Sequence, residues 1–441
     1  MPELFIKNGT LITSEDTDRT NIIVENGLIS SLTDEELPPS KKMKIIDATG
    51  KLIFSGGVDP HVHLHLDTPA GPSCDDFESG SRAALAGGTT YFIDFVTPVR
   101  GESLQSAFKK RFNESTNSLT DYHFHMGISE WTSHTADEMA WCVQEAGIRS
   151  FKTYLAYKST IGIEPEELKK VMQTAALFGA TVLVHCEDGT KIVRLQRQML
   201  KQGNTAPRYH ALSRPVETET AAVKQVIALC RETSCTTYLV HISSAGSVEL
   251  IARAKREGLP LFAETCPHYL LLDDSCYQKP DAEALAYVFS PPLRSKADQA
   301  ALWDALQSGV IDTVATDHCP FNLHGQKDVG KDDFTRIPNG TGGIEFRLQL
   351  LYTYGVLGKR ISMNRFVELV SDNPARIFRL SQHKGDIRKG MDADLVIWNP
   401  DKEMVISAKT QYQHCDHTIY EGIPVKGFAE MVLLKGVVYH R

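Results

Sequence analysis

The chain has 441 residues, of which 42% are hydrophobic and 23% charged, a balance typical of a globular protein and not of a disordered one. It carries 47 Lys and Arg against 55 Asp and Glu, so its formal net charge is −8 and a nucleic-acid partner, which needs a basic surface, is disfavoured. The nine cysteines are odd in number and scattered, with no C-x-x-C pair, which argues against a secreted disulfide framework and favours reduced thiols.

Short alternating runs, separated by Asn-Gly or Gly turns, open the chain: LFIKNGTLIT, NIIVENGLIS and KIIDATG. Similar runs return at the other end: ADLVIWNP, EMVISA and MVLLKGVVYH. We predict that both ends build one small composite β-sandwich domain, from residues 1–53 and 387–441. Residues 54–386 form the central domain.

The central domain alternates strand-like and helix-like runs. Eight runs rich in β-branched or aromatic residues are predicted strands: 57–63, 90–96, 122–128, 149–155, 181–186, 237–243, 260–265 and 311–317. Helical spacing follows at 81–86, 165–178, 217–231 and 247–256. Eight such units over roughly 260 residues predict an α/β fold, a (β/α)8 TIM barrel, whose functional residues lie at the C-terminal ends of the strands.

Membrane and export signals are lacking. No run approaches the roughly 18 apolar residues of a membrane-spanning helix, and residues 1–19 show neither the basic nor the apolar stretch of a signal peptide. We therefore expect a cytoplasmic protein with no membrane partner.

Metal-ligand residue types recur at the ends of the predicted barrel strands. His61 and His63 end the first strand and point the same way, as two ligands of one metal must. His123 and His125 share this spacing but have no second signal. Four more ligand-type residues stand at or near other strand ends: Lys152, His185, His241 and Asp317. A single one of these histidines is more commonly structural, but six residues converging on one barrel end predict a functional site.

Lys152 is the unusual member of this set, because an ammonium has no lone pair for a metal. A surface or ion-paired lysine is the simpler interpretation. Next to two divalent cations, however, a lysine that has added CO2 is an anionic carbamate with one oxygen for each metal. With four neutral imidazoles, the Asp317 carboxylate and a shared hydroxide, it reduces the charge of the two metals to about +1. The set thus predicts an electrophilic hydrolytic centre with N6-carboxylysine at position 152.

The ordered ligand set resembles that of the amidohydrolase superfamily, and the similarity spans essentially the whole chain. Within it, the chain is most similar to the dihydropyrimidinase and hydantoinase family. The supporting motifs are Asp75-Asp76-Phe77, Ala156-Tyr157-Lys158, Ser290-Pro291-Pro292-Leu293-Arg294, Ile337-Pro338-Asn339-Gly340 with Gly343 and Glu345, Asn373-Pro374-Ala375, Gly390-Met391-Asp392-Ala393-Asp394-Leu395 and Tyr420-Glu421-Gly422.

The resemblance implies a role for each site residue. Two zinc ions, or Mn or Co in the same donors, are held by His61, His63 and Asp317 on one side and by His185 and His241 on the other, with carboxylated Lys152 as the bridge. The cyclic amide of the substrate is bound by Tyr157, Ser290 and Asn339. Asp317 is expected to carry the proton from the attacking hydroxide to the leaving nitrogen, and Tyr157 to donate to the oxyanion.

The resemblance also implies an activity. It is that of a hydrolase acting on carbon–nitrogen bonds in cyclic amides, which opens a dihydropyrimidine or a 5-substituted hydantoin to an N-carbamoyl amino acid, as in pyrimidine catabolism. The resemblance implies a homo-oligomer: family members are commonly homotetramers, partly through C-terminal extensions, and because this sequence ends directly after its last predicted strand, we expect a dimer or a tetramer.

Four alternatives to this hypothesis are considered. Dihydroorotase is disfavoured because no arginine follows His63, whereas the segment from Glu264 to Tyr269, with His268, resembles that of allantoinase. Another cyclic ureide or imide is an equally open substrate, because the loop after the first strand carries His65 and Thr68 where hydantoinases often have bulky apolar residues. A non-catalytic dihydropyrimidinase-related scaffold protein is the alternative of a different class, and it is disfavoured because every ligand position is intact.

Overall fold

The computed structural model describes residues 3–35 and 43–440. The remaining residues, 1–2, 36–42 and 441, belong to the predicted sandwich segments and lie outside the described residues. Eighteen strands are described: β1 (Leu4–Lys7), β2 (Thr10–Ile12), β3 (Thr17–Arg19), β4 (Asn21–Glu25), β5 (Leu28–Thr33), β6 (Lys44–Asp47), β7 (Leu52–Ser55), β8 (Gly57–Val62), β9 (Thr89–Val96), β10 (Asp121–Gly127), β11 (Ser150–Tyr154), β12 (Thr181–His185), β13 (Thr236–Leu239), β14 (Leu261–Thr265), β15 (Thr313–Val314), β16 (Leu395–Val405), β17 (Pro424–Leu434) and β18 (Val437–His440).

The α-helices of the described residues are α1 (Phe77–Gly87), α2 (Leu104–Glu114), α3 (Thr135–Gln144), α4 (Pro165–Leu177), α5 (Gly189–Lys201), α6 (Arg208–Leu212), α7 (Val216–Thr233), α8 (Ala245–Arg256), α9 (Pro267–Leu271), α10 (Asp281–Ala284), α11 (Lys296–Ser308), α12 (Arg347–Leu351), α13 (Met363–Val367) and α14 (Asn373–Ile377). Short 3₁₀ turns and two π-helical turns connect some of them. Local chemistry sets their starts. α1 follows Asp76, whose carboxylate accepts from the Ser79 amide at 2.8 Å, and α4 has Pro165 in its first turn, where no N–H is needed.

The central domain is a parallel barrel, as the strand–helix alternation predicts. Strands β8 to β15 lie in chain order, each next to its sequence neighbour, and all eight predicted strands are present. Every residue of β9 is buried, as expected of a strand covered on both faces. The TIM-barrel prediction is therefore confirmed, although β15 is shorter than predicted.

The seam between β8 and β15 is not closed by a ladder of strand hydrogen bonds. Val62, the last residue of β8, and His318, which lies beyond β15, form one parallel bridge, and the His63 amide donates to the His318 carbonyl at 2.8 Å. This pairing sets the residues that follow β8 beside those that follow β15.

Buried polar side chains complete the seam below that bridge. The guanidinium of Arg347 donates to the Val58 carbonyl at 2.9 Å and to the Val314 carbonyl at 3.1 Å, so it links β8 to β15. The Thr316 hydroxyl donates to the Asp59 carboxylate at 2.6 Å. These contacts fix the position of the chain on either side of Asp317.

The chain ends form the composite β domain that the sequence predicts. One sheet has the order β5-β4-β1-β6, and a second, with the order β18-β17-β16-β7-β2-β3, contains strands from both ends. Leu4, Ile53, Leu395 and Leu433 share one buried cluster that is separate from the barrel core. Strand β7 pairs with β2 and β16 and spans the predicted junction at residue 53, so the domain limits at 53 and 386 stay predictions.

No helix in the described ranges is both long enough and apolar enough to cross a membrane.

Candidate metal centre and active site

The ligand-type residues meet at the C-terminal end of the barrel. They line one cavity of about 760 Å³: His61 in β8 and His63 just after it, Lys152 in β11, His185 at the end of β12, His241 after β13 and Asp317 after β15. His125, in contrast, is buried elsewhere and hydrogen-bonds the Pro60 carbonyl at 2.9 Å and the Ser150 hydroxyl at 2.6 Å. The second His-x-His pair is thus structural.

The first group of donor atoms has the spacing of ligands on one metal. His61 Nε2 lies 3.1 Å and His63 Nε2 lies 3.3 Å from Asp317 Oδ1. Two ligands that each lie 2.0–2.1 Å from a tetrahedral zinc are about 3.3 Å apart. Burial lowers the pKa of His63 to about 4, so its imidazole is neutral near neutral pH, which is the form that binds a metal.

The second group consists of two imidazoles. His185 Nδ1 and His241 Nε2 are 3.0 Å apart in the barrel interior. Burial, together with the neighbouring His185, holds the pKa of His241 well below its ordinary value, and burial also lowers the pKa of His185. Because the two rings are neutral, a direct contact requires one ring to donate its N–H to the lone pair of the other. A cation between them would instead accept both lone pairs. The donor set of this group therefore fits a metal ion.

Lys152 lies next to the first group. Its Nζ is 3.5 Å from His61 Nε2 and sits over the Phe95 and Tyr154 rings, 4.8 and 5.0 Å from their centroids, and the residue is only 1% exposed. Within the described part of the chain no carboxylate lies within 4.0 Å of this nitrogen. Burial lowers the pKa of Lys152 to about 8. An unpaired ammonium is unfavourable at this buried position, so the interpretation of Lys152 as a surface or ion-paired lysine is not supported.

The three predicted substrate-binding residues line the same cavity as the ligands. Asn339 Oδ1 is buried without a hydrogen-bond partner among the described residues and is therefore free to bind a polar ring, and the buried Ser290 hydroxyl faces the Tyr157 phenol. The Tyr157 ring centroid lies 5.2 Å from that of His185. Burial raises the pKa of Tyr157, which keeps its phenol protonated as a donor.

The backbone near the site is held in an unusual conformation at three of these residues. Tyr157, His241 and Asp317 have φ of 56°, 40° and 50°, in the left-handed region that non-glycine residues seldom adopt. Such conformations persist where the surrounding structure fixes them, and they are concentrated at functional sites. Here they turn the chain at the strand ends and bring the side chains to the cavity.

Comparison with known proteins agrees with this geometry. A family model described as "Amidohydrolase family" matches residues 52–438. The chain belongs to the amidohydrolase family. It is 42% identical over 432 residues to a D-hydantoinase of Geobacillus stearothermophilus, covering 98% of this chain and 91% of that protein. It is 38% identical over 434 residues to a dihydropyrimidinase of Arabidopsis thaliana, covering 98% and 81%. The crystal structure of a dihydropyrimidinase from Brevibacillus agri matches with a TM-score of 0.97 and 39% identity, covering 99% and 95% of the two chains.

Two buried carboxylates that sequence reasoning missed orient the ligands of this amidohydrolase. Glu264 Oε1 lies 2.7 Å from His61 Nδ1, and Glu187 Oε2 lies 2.8 Å from His185 Nε2. Each carboxylate fixes a proton on the nitrogen it faces, so the other ring nitrogen is left as a metal donor. The only signal in the sequence is local: Glu187 stands two residues after His185, and Glu264 stands near the end of its strand.

A buried lysine, also missed, links the segments that carry Ser290 and Asn339. Lys327 is 0% exposed, and its Nζ donates to the Val288 carbonyl at 2.8 Å and to the Pro338 carbonyl at 3.1 Å. Val288 lies two residues before Ser290, and Pro338 lies directly before Asn339. Lys327 therefore sets the distance between the two segments that carry these polar groups.

The loop after β8 forms one wall of the cavity mouth. His65, Leu66, Thr68 and Ala70 line it, as does Asp67, which pairs with the exposed Lys110 at 3.0 Å. These are the positions where the sequence departs from the bulky apolar residues of many hydantoinases. The wall of this amidohydrolase is thus partly polar, and its residues do not select one particular exocyclic group of the substrate.

Proposed function

We propose that this amidohydrolase opens the ring of a dihydropyrimidine or a 5-substituted hydantoin, cleaving one cyclic amide bond to give an N-carbamoyl amino acid. The observation that carries the proposal is the arrangement of two groups of metal donors beside the buried Lys152, on the floor of a cavity with unpaired polar groups. Its relatives named D-hydantoinase and dihydropyrimidinase cover nearly the whole chain, which supports the same substrate class.

The proposed centre holds two divalent metals. Zinc is our first choice, and Mn or Co suits the same N and O donors. One metal would be held by His61, His63 and Asp317, the other by His185 and His241, and Lys152 as its carbamate would supply oxygen ligands. When bound, the metals polarise the amide carbonyl and lower the pKa of water, so that hydroxide is available near neutral pH.

Asp317 is proposed to move the proton of the reaction. Burial opposes ionisation of its carboxyl, but the charges and hydrogen bonds of His61 and His63 hold the pKa of Asp317 well below its usual range. The residue therefore starts as a base that takes the proton of the attacking hydroxide. It then delivers the proton to the ring nitrogen, because an amide nitrogen leaves only when protonated.

The remaining residues are proposed to bind and orient the ring. The Tyr157 phenol donates a hydrogen bond to the carbonyl oxygen as negative charge develops on it. In a site from which water is largely excluded, such a donor stabilises the transition state strongly. The Ser290 hydroxyl and the Asn339 side chain bind the ring N–H and C=O groups. Together they fix which carbonyl faces the metals.

The test is metal stoichiometry and ring opening measured on one preparation. Purified protein is analysed for metal and assayed on dihydrouracil, hydantoin and allantoin. We expect two metals per chain and hydrolysis of dihydrouracil or hydantoin. An Asp317→Asn variant should be inactive, and Asp304→Asn, at an exposed position, should behave like the wild type.

Two outcomes would contradict the proposal. Two metals with activity on allantoin alone would support the allantoinase alternative. A protein that stays metal-free and inactive after reconstitution with Zn or Mn and bicarbonate would support the scaffold alternative.

We further infer a homodimer or homotetramer. The strand β18 lies at an edge of the larger terminal sheet and leaves Val437 58% exposed, and such an edge is available for pairing. Light scattering on the purified protein would test this, and a monomer at micromolar concentration would contradict it.

A further inference from the structure

Two thiols meet outside the metal centre, between the loop that follows β8 and the segment that precedes β17. Cys74 and Cys415 are close enough for each thiol to shift the pKa of the other. Both rest on the segment after β15: the Cys74 thiol lies 3.3 Å from Gln326 Oε1, and the Cys415 thiol lies 3.6 Å from the Phe321 carbonyl oxygen. Neither is part of a disulfide.

The backbone keeps these two segments together. The amide of His414, the residue before Cys415, donates at 2.8 Å to the carboxylate of Asp75, the residue after Cys74. The Cys74 amide donates to the Pro320 carbonyl at 2.8 Å. The two thiols are thus presented to each other by fixed chain segments and not by a chance contact of long side chains.

The two sulfurs have different chemical environments. His417 Nδ1 lies 3.4 Å from Cys415 Sγ, and Asp416 Oδ1 lies 3.2 Å from the same nitrogen. The neighbouring Cys74 thiol and the adjacent His417 lower the pKa of Cys415 to about 5, and the neighbouring Cys415 raises the pKa of Cys74. Because His417 Nδ1 faces the Cys415 sulfur, Cys415 is the thiol of the pair with a base beside it, and a thiolate is the reactive form of cysteine.

We propose that Cys415 and Cys74 are an oxidisable thiol pair that a hydroperoxide converts to a disulfide. The Cys415 sulfur attacks one oxygen of hydrogen peroxide, the O–O bond breaks, and hydroxide leaves, so that Cys415 becomes a sulfenic acid. The Cys74 sulfur then attacks the Cys415 sulfur, the S–O bond breaks, and the Cys74 proton leaves with the hydroxide as water. Two thiols lose two electrons, and the peroxide is reduced.

The bond would restrain one wall of the cavity. Cys74 ends the loop that begins at His65 and contains the cavity-lining Thr68 and Ala70. Asp75, beside it, also faces His318 Nε2 at 3.0 Å, and His318 directly follows Asp317. The proposed modification therefore joins the C-terminal segment to the wall of the active site, and it does not depend on which substrate the enzyme hydrolyses.

The experiment is peptide mapping of the full-length protein after limited treatment with hydrogen peroxide. With dimedone present, we expect a sulfenic-acid adduct on Cys415, formed at least about ten-fold faster than any adduct on Cys276, where burial raises the pKa of the thiol. Without dimedone, we expect a cross-linked Cys74–Cys415 peptide that dithiothreitol releases.

Variants separate the two steps. In Cys74→Ser the Cys415 adduct should persist, because the resolving thiol is gone, and in Cys415→Ser neither adduct nor cross-link should form. Cys276→Ser should leave the cross-link unchanged. The proposal is overturned if the wild type yields no Cys74–Cys415 peptide, or if Cys415 reacts no faster than Cys276. Both readouts are chemical, so a failure of the proposed hydrolase activity would leave them unaffected.

Discussion

The Lys327→Met substitution tests whether the buried lysine sets the substrate-binding segments. Lys327 Nζ is the one donor to the Pro338 carbonyl among the described residues, whereas the Val288 carbonyl also accepts from the Gly340 amide at 3.2 Å. Methionine fills a similar volume but leaves the Pro338 carbonyl unpaired, at a cost of about 1–3 kcal/mol. Because this carbonyl directly precedes Asn339, we expect KM to rise about ten-fold with kcat little changed.

The pH dependence of stability gives a second readout of the same change. Burial lowers the pKa of Lys327 from 10.5 to about 7. Between those values the unfolded chain binds a proton that the folded chain does not, so the free energy of unfolding rises with pH. From about pH 7 to about pH 9.5 the gain is about 3 kcal/mol. The wild type should show this gain, and Lys327→Met should lack it.

Urea unfolding at the two pH values measures the difference, with Lys331→Met, at an exposed position of the same segment, as the matched control. An equal pH slope in the wild type and in Lys327→Met would refute the argument that Lys327 is buried with its proton disfavoured. A normal KM in a folded Lys327→Met variant would refute its role in positioning Ser290 and Asn339.

Three further substitutions address the metal centre and the chemistry. Glu264→Gln removes the charge that faces His61 Nδ1 at 2.7 Å and should weaken metal retention about 10–100-fold on dialysis, whereas the exposed Glu249→Gln should not. Asp317→Asn should lower kcat roughly 10²–10⁴-fold through loss of the proton carrier, and a folded, metal-loaded variant with near-normal kcat would sink this assignment. Tyr157→Phe should lower kcat about 10²–10³-fold with KM nearly unchanged, and an unchanged kcat would exclude the phenol as the oxyanion donor.

The barrel could be predicted because its strands follow each other in the chain and are buried on both faces. Where prediction failed, local shape was set by distant contacts. The last strand was expected over 311–317, but β15 comprises only Thr313 and Val314, and the backbone is left-handed at Asp317. Strand β3 was not predicted because all of its residues are exposed and it has no apolar alternation. Strand β16 runs through Pro400 as one bulged strand where two short ones were expected.

The site divides in the same way. Residues that line the cavity could be found in the sequence, because a strand end is a local feature and the barrel brings such ends together. Residues that act by positioning another residue could not be found in the sequence. Glu264 is 203 residues from His61, and Lys327 holds carbonyls of two segments that are distant in the chain. No periodicity or spacing marks a contact that only the folded chain creates.

The buried charges around the centre make the two proposed metal sites unequal. The Glu187 carboxylate pairs with the Arg214 guanidinium, so the His185–His241 group gains no net charge from it. Among the described residues Glu264 has no Lys or Arg within ion-pair distance, so its charge adds to that of Asp317 around His61. Like charges in a buried site favour a cation strongly. We therefore expect a chelator to remove the metal of the His185–His241 group before the metal of the His61 group. Arg214→Met leaves the charge of Glu187 unpaired and should bring the chelator concentrations of the two release steps closer together. A single release step with two metals lost together in the wild type would contradict this reasoning.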